Sequence, residues 1–577
     1  MLARGTTLAP SFAHSLACKT ELQNRLFTAL SAMFGREVPL YDKALRVNMV
    51  CNTRVCALMS QLHIGFTIDQ SDLERASGER HGAIRIGRAD EYHWMGRLFA
   101  CFAMEPHCFY DMTAIGAKSQ PVIATAFRSR HRPEHRVFTS LLMTDYFDAD
   151  TRARIETLLA QRETFSPRAK ELIERSERDD GLSPDDAQAL INECTQHIFK
   201  WTGRARDFAL YNQLCAHGFK IAADIACFQS HHLNHLTPNT LCMDLYTAAI
   251  KHCLGEVDAH WFRARTMRAL TALVARADHD FMKLHFKHVP LEEIARYRAG
   301  VVTNAQIAQC ADELVAEFAL PEFALFELDH AGCKESTEGP SADTAIFLRQ
   351  DAYKALTEPV QFTEADGAVI DAMHTARFGE IEERGYACTP KGRAAYDACL
   401  AQTELLGAAP GTTDERMADE AESAAFEARY ADEFAAFEKS LPGLIAQRFV
   451  YARYVATDAG IAAKERGAVD SIDLPTLIAQ GFVAYEGLRY EDFLPVSAAG
   501  IFASNLNQYG TKSSAAEKPT YSQSQLEAVL GRRIIDATLI YAAMEAQSKL
   551  DTFTQLGVIE MLSDEECSQL QRVAASS

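Results

Sequence analysis

The sequence predicts an α+β protein, and three observations carry that prediction. A short strand bracketed by glycines over residues 78–87 is followed by a helix and then by three strand-like runs, the order of an α+β module. Residues 149–220 and 244–320 read as helices, the second with Trp261, Met267, Leu270 and Leu273 at helical spacing. Strands return at 324–328, at 344–348 and in the stretch from His374 to Gly385. With 577 residues the chain exceeds one ordinary core, so two or three structural units are expected.

Each element has a local reason. Thr20 caps a helix carrying Leu22, Leu26, Phe27, Leu30 and Met33 and closed at Gly35. In the strand at 78–87, His81, Ala83 and Arg85 share one face, and Ile84 and Ile86 share the other. A helix over 90–104 buries Trp94, Leu98, Cys101 and Phe102, and the runs 108–112, 121–128 and 136–142 read as strands. Ser183-Pro184 is a cap followed by a first-turn proline. Pro238 ends what precedes it, and Thr389-Pro390 starts a further helix. An Ala/Gly/Glu-rich segment over 407–425 reads as a linker, the acidic helix after it as a solvated face, and 522–549 as one long helix.

The resulting order is a helical segment over 1–60, a first α+β module over 61–148 and a helical segment over 149–228. A second α+β module spans 229–406 and is interrupted by the helices of 244–320. Residues 407–475 hold the linker and acidic helix, and 476–577 form a C-terminal loop-and-helix segment.

Composition narrows the function. The formal net charge of −20, without a basic stripe, argues against a nucleic-acid partner. No run of about 18 apolar residues is present, so no membrane-spanning helix is expected. Fifteen cysteines form no C-x-x-C pair and sit in apolar segments, which predicts reduced core thiols and a cytosolic protein. The first twenty residues carry only Arg4 and Lys19, so an organelle leader is the weaker reading.

The stretch from His374 to Gly385 organises the chain. Phe378, Glu380 and Glu382 fall on one strand face, with Gly379 and Ile381 on the other. An unpaired buried carboxylate costs several kcal/mol, so either the strand lies at the surface or its glutamates meet cations. His81, one histidine of 231–235 and one glutamate of 380–382 form a candidate metal triad. Two imidazoles and one carboxylate leave about half of an octahedral iron(II) shell open for substrate and dioxygen. His231 and His235, four apart, offer a zinc-hydrolase reading, but His232 stands where that motif carries glutamate and Pro238 opposes a long helix there. Arg85 presents a fork to a substrate carboxylate, or else pairs with a nearby acid. The small residues of 495–500 either bring backbone N–H groups to an anion or pack tightly.

Four motifs carry a resemblance: Glu79 to Arg85, Asn234 to Pro238, Thr375 to Glu382 and Tyr490 to Phe502. In this order they resemble the 2-oxoadipate dioxygenase/decarboxylase family over most of the chain. The resemblance implies a fold related to the vicinal-oxygen-chelate group: a mixed sheet forming an incomplete barrel around a metal, surrounded by helices. It implies an iron(II) enzyme of lysine catabolism that converts 2-oxoadipate and O2 to 2-hydroxyglutarate and CO2. It places the metal ligands on His81, His235 and Glu380, with Glu382 as the competing third ligand and otherwise an acceptor behind the ligands. It places substrate contacts on His81, on Arg85, which also has the catalytic role, and on the backbone of Val496 with Ser497 beside it. Relative to shorter members, 244–320 reads as an inserted helical segment. A zinc hydrolase using the same ligands and a non-catalytic helical scaffold are the competing readings.

Overall fold

The computed structural model describes residues 16–114, 119–130, 133–334, 337–407, 420–494 and 519–576. At its centre is a mixed sheet of seven strands: β1 (Glu79–Ile86), β2 (Glu105–Asp111), β3 (Val122–Arg128), β4 (Arg136–Leu142), β5 (His235–Pro238), β6 (Leu348–Ala352) and β7 (Phe378–Arg384). Their spatial order is β2-β3-β4-β1-β5-β7-β6, and the sheet curls as an incomplete barrel. The pairs β1–β4 and β5–β7 are parallel, and the other neighbours are antiparallel. This is the α+β architecture that the sequence predicts, with helices covering the sheet.

Strands β3 and β4 are rich in β-branched and aromatic residues and are buried along their whole length, as a covered sheet requires. Strand β7 is equally buried although it carries Glu380, Glu382, Glu383 and Arg384. The surface-strand reading of this stretch is therefore excluded, and its charges meet partners inside the protein. Gly82 and Gly379 permit close approach on the strands that hold the site. A Cβ on Gly82 would lie 2.9 Å from Leu236 Cδ2, and one on Gly379 would lie 2.6 Å from the Tyr353 ring. The second helix, Pro39–Leu62, fixes the end of β5: Asn48 and Asn52 donate to the Asn239 carbonyl at 2.9 and 3.3 Å.

Several expectations are corrected. His374 does not begin β7; it is the penultimate residue of the strand Val369–Thr375, which pairs with Thr357–Thr363 in a separate three-stranded sheet. The strand expected at 344–348 begins at Leu348, because Phe347 takes a left-handed φ of 51° that breaks the extended backbone. Residues 324–328 carry a single 3₁₀ turn, Leu325–Glu327, next to the proline-initiated turn Pro321–Phe323. The helix expected over 522–549 is two helices, Gln523–Leu530 and Ala537–Leu556, because Gly531 ends the first at φ 70°. The acidic helix Glu420–Glu433 is not simply solvated: Glu427 and Glu420 pair with Arg265 and Arg268 of helix Ala259–Arg276. No helix among the described residues is long and apolar enough to cross a membrane.

Candidate metal centre

Sheet register brings the ligand candidates together. Ala83 of β1 faces His235 of β5, His81 faces Thr237, and His235 in turn faces Phe378 of β7. Side chains two apart share a strand face, so His81, His235, Thr237, Glu380 and Glu382 converge on one side of three adjacent strands. His81, His235 and Glu380 each place a ligand atom within 4.8 Å of the other two, and all three are buried. Glu380 Oε2 lies 3.1 Å from His81 Nε2 and 3.5 Å from His235 Nε2.

The hydrogen bonding identifies what this cluster lacks. His81 Nδ1 donates to Glu382 Oε2 at 2.7 Å, which in a neutral imidazole leaves a lone pair on Nε2. That lone pair faces the Glu380 oxygen, so two acceptors oppose each other. The Thr237 hydroxyl is 3.0 Å from both, and its one proton serves only one of them. His235 Nε2 and Glu380 Oε1 are buried without a hydrogen-bond partner. Converging lone pairs in a buried pocket are the arrangement that a cation resolves, and two imidazoles with a carboxylate suit a divalent transition metal.

Electrostatics keep the donors in the required state. Burial pushes the His235 imidazole down to about 3, against the opposing pull of Glu380, so it is neutral. Burial would raise the Glu380 carboxyl, but it is held below its usual value, with the Lys334 charge among the groups that favour the carboxylate. Burial is likewise outweighed at Glu382, where Arg384, Arg136 and His81 keep the carboxyl well below its usual range. Arg136 Nη2 and Arg384 Nη2 both donate to Glu382 at 2.8 Å. Glu382 therefore stands behind His81 and orients its ring. The ring of Phe378 stacks on His235 at 4.8 Å, and Phe493 meets His81 edge-on at 4.8 Å, walling the cluster with carbon.

The three histidines of 231–235 go to three different places. His231 Nε2 lies 3.1 Å from Glu91, His232 Nε2 lies 3.3 Å from Asp224, and His235 joins the triad. Residues 229–234 are not helical, so His231 and His235 share no helix face and the zinc-hydrolase spacing is accidental. Arg85 pairs with an acid: its Nη1 donates to Asp224 Oδ2 at 2.7 Å. Val496 and Ser497 lie outside the described residues. The segment before them is anchored to the sheet, since Arg384 Nη1 donates to the carbonyls of Tyr490 and Asp492 at 2.8 and 3.0 Å. Arg136 pairs with Glu491 at 2.7 Å and Arg128 with Asp492 at 2.8 Å.

Sequence reasoning missed Arg136, Arg128, Asp224 and the buried role of His374. It also missed Arg384, although the two-residue step from Glu382 to Arg384 puts both on one strand face.

Residues 26–255 and 324–505 match the family model of the 2-oxoadipate dioxygenase/decarboxylases. The unmatched stretch between them includes the helices Ala259–Arg276, His279–His285, Leu291–Ile294 and Asn304–Phe318. The chain is 32% identical over 544 residues to the 2-oxoadipate dioxygenase/decarboxylase of Pseudomonas putida, covering 93% of this chain and 97% of that protein. It is 31% identical over 538 residues to the Escherichia coli protein of the same description, covering 92% and 97%. The crystal structure of the Pseudomonas putida hydroxyglutarate synthase in complex with 2-oxoadipate superposes with a TM-score of 0.62 at 31% identity, covering 93% of this chain and 98% of that one. Taken with the buried triad, these matches establish that the chain belongs to the 2-oxoadipate dioxygenase/decarboxylase family.

Proposed function

We propose that this chain converts 2-oxoadipate and O2 to 2-hydroxyglutarate and CO2, with a ferrous ion held by His81, His235 and Glu380. The observation that carries the reading is the convergence of three buried ligand atoms whose lone pairs have no sufficient hydrogen-bond donors. The described relatives carry this activity in their names, and one was crystallised with 2-oxoadipate. When bound, the iron supplies open positions at which a 2-oxo acid and dioxygen react. Both oxygen atoms end in the two products, so no separate co-substrate is required.

The protein's own groups hold that chemistry in place. Glu382 accepts the His81 Nδ1 proton and so directs the Nε2 lone pair into the pocket. Arg136 and Arg384 keep Glu382 anionic. Phe378 and Phe493 keep water from the two imidazoles. Arg85 meets a substrate carboxylate, and the Val496-Ser497 backbone fixes the same molecule. Free, mostly buried thiols fit a reducing compartment such as the cytosol.

Metal analysis followed by an oxygen-electrode assay tests the reading. Iron-loaded protein should consume O2 with 2-oxoadipate and release CO2 and 2-hydroxyglutarate in equal amounts. Preferential retention of zinc, with no oxygen uptake when iron is supplied, would overturn it.

A further inference from the structure

The proposed reaction leaves two buried histidines unused, and both meet one carboxylate. His232 Nε2 and His374 Nε2 each lie 3.3 Å from Asp224 Oδ1. The other oxygen, Oδ2, accepts from Arg85 Nη1 at 2.7 Å and from Asn234 Nδ2 at 3.2 Å. The Tyr211 hydroxyl holds His374 Nδ1 at 2.9 Å, and the Trp201 ring packs 4.5 Å from His232 and 6.0 Å from His374. Asp224 is 2% exposed and sits on helix Lys220–Cys227, so a helix outside the sheet reaches in to grip an arginine of β1.

A bidentate pair between Asp224 and Arg85 would engage two guanidinium nitrogens and occupy one of its donor edges. The observed pairing is different. Among the described residues, Arg85 hydrogen-bonds through Nη1 alone, and its side chain keeps 9% exposure. Asp224 Oδ1 lies 3.3 Å from each imidazole nitrogen but has no hydrogen-bond partner among the described residues, so the carboxylate is hydrogen-bonded through Oδ2, to Arg85 and Asn234. The guanidinium is anchored at one corner while Nε–H and Nη2–H form a parallel pair of donors, the geometry that receives a carboxylate bidentately. Arg85 also shares its strand face with His81, and its charge acts on His235.

We propose that Asp224 is a positioning residue for substrate binding. It holds Arg85 by Nη1 and leaves the Nε–Nη2 edge for a carboxylate of the 2-oxo acid, while Asn234 donates to the same Asp224 oxygen and His232 and His374 flank the other. The proposal rests on the substrate role of Arg85 given above.

A double-mutant cycle separates the two. Arg85→Ala, Asp224→Asn and the double variant are assayed for kcat/KM with 2-oxoadipate at saturating iron, with iron content and thermal midpoint recorded for each. Each single variant should lose about 10- to 100-fold in kcat/KM, mainly through KM. The double variant should be no worse than Arg85→Ala, because Asp224 acts through Arg85. Added guanidinium should partly restore Arg85→Ala and should fail with the double variant, which lacks the anchor. Equal losses from Asp224→Asn in both backgrounds, or equal guanidinium rescue, would overturn the positioning role and reduce Asp224 to a structural ion pair. Unchanged kcat/KM in iron-loaded Arg85→Ala would overturn the substrate role beneath it. If Asp224→Asn does not fold, His374→Gln enters the same cycle, where a loss that persists undiminished in the Arg85→Ala background is the overturning result.

Discussion

Two clusters of the same composition lie close together in this molecule. One holds His81, His235 and Glu380; the other holds His232, His374 and Asp224. Each has two buried imidazoles and one buried carboxylate, yet among the described residues only the first brings three ligand atoms within 4.8 Å. The difference lies first in the imidazoles: His232 Nε2 and His374 Nε2 each lie 3.3 Å from Asp224 Oδ1, but they do not come within 4.8 Å of each other. Asp224 is also matched by the Arg85 guanidinium at 2.7 Å, through the oxygen that does not face the imidazoles. Glu380 has an imidazole, a hydroxyl and a glutamine amide as neighbours, and its Oε1, like Asp224 Oδ1, has no hydrogen-bond partner among the described residues. Two histidines and an acid therefore make a candidate metal site here only where both imidazoles and the carboxylate come within reach of one point, and Asp224 is in addition paired with Arg85.

The sharpest way to break this contrast is to remove the acid from the first cluster. Glu380→Ala should abolish stoichiometric iron binding and lower turnover by more than about 100-fold, since partners standing behind metal ligands alone cost about 10- to 100-fold. Metal analysis of the purified variant checks it. Full iron retention in Glu380→Ala, with loss in Glu382→Ala, would transfer the ligand role to Glu382.

A second, smaller effect concerns the residues behind the ligands. Glu382→Gln should weaken iron binding by about 10- to 100-fold, because the amide no longer accepts the His81 proton as a charged partner. Arg136→Met should lower unfolding free energy by about 3–5 kcal/mol, because it strips one cation from the buried pairs with Glu382 and Glu491. Denaturant unfolding of the metal-free protein measures it. An Arg136→Met protein as stable as the parent would mean that Arg384 alone satisfies Glu382.

The first cluster was partly legible in the sequence and the second was not: the strand period assigns the faces of His81, Glu380 and Glu382, while the choice of His235 among 231–235 and of Glu380 over Glu382 comes from the family resemblance. His81, Glu380 and Glu382 sit in short strands where a two-residue period assigns the face, and Pro238 marks the end of the strand that holds His235. Strand faces at 81–85 and 378–382 survive a boundary error of one or two residues, because the period is local. Asp224 lies in the apolar run Ile221–Phe228, where a single acid on a short helix gives no sign of its partner, and Arg85 is 139 positions away. Arg136 is 246 positions from Glu382. Pairing across such distances is set by sheet order, and the order β4-β1-β5-β7 is not written in any local pattern. His374 was misplaced because Ala376 and Arg377 separate two strands that read as one, and Arg377 turns to pair with Glu358 and Glu37.

Acid should expose a property that both clusters share with the rest of the interior. Burial pushes His235 down to about 3, and His107 and His285 to about 3 as well, while His374 is also lowered by burial. In the unfolded chain these imidazoles titrate near about 6.5. Between these values the unfolded state binds more protons, so stability rises with pH and is lost as pH falls below about 6.5. Each such histidine contributes about 1.4 kcal/mol per pH unit inside that window. Chemical denaturation of metal-free protein from neutral pH to mild acid should show a steep loss of stability, and a flat profile would show that these imidazoles are already charged in the fold.

The smallest expected effect is the most discriminating. His374→Gln changes one imidazole of the second cluster and leaves Asp224 with Arg85, His232 and Asn234. The link from that cluster to the metal ligands runs through Asn234, next to His235. The Asn234 backbone is fixed independently, because its N–H donates to Ala83 and its carbonyl accepts from Phe378, at 3.0 and 3.1 Å. Loss of a neutral imidazole also removes no charge from the neighbourhood of the iron. Iron affinity in His374→Gln should therefore stay within about twofold of the parent, as for independent sites, against the much larger loss in Glu382→Gln. Comparable losses in the two variants would mean that the two clusters form one network, with His374 supporting the metal as directly as Glu382 does.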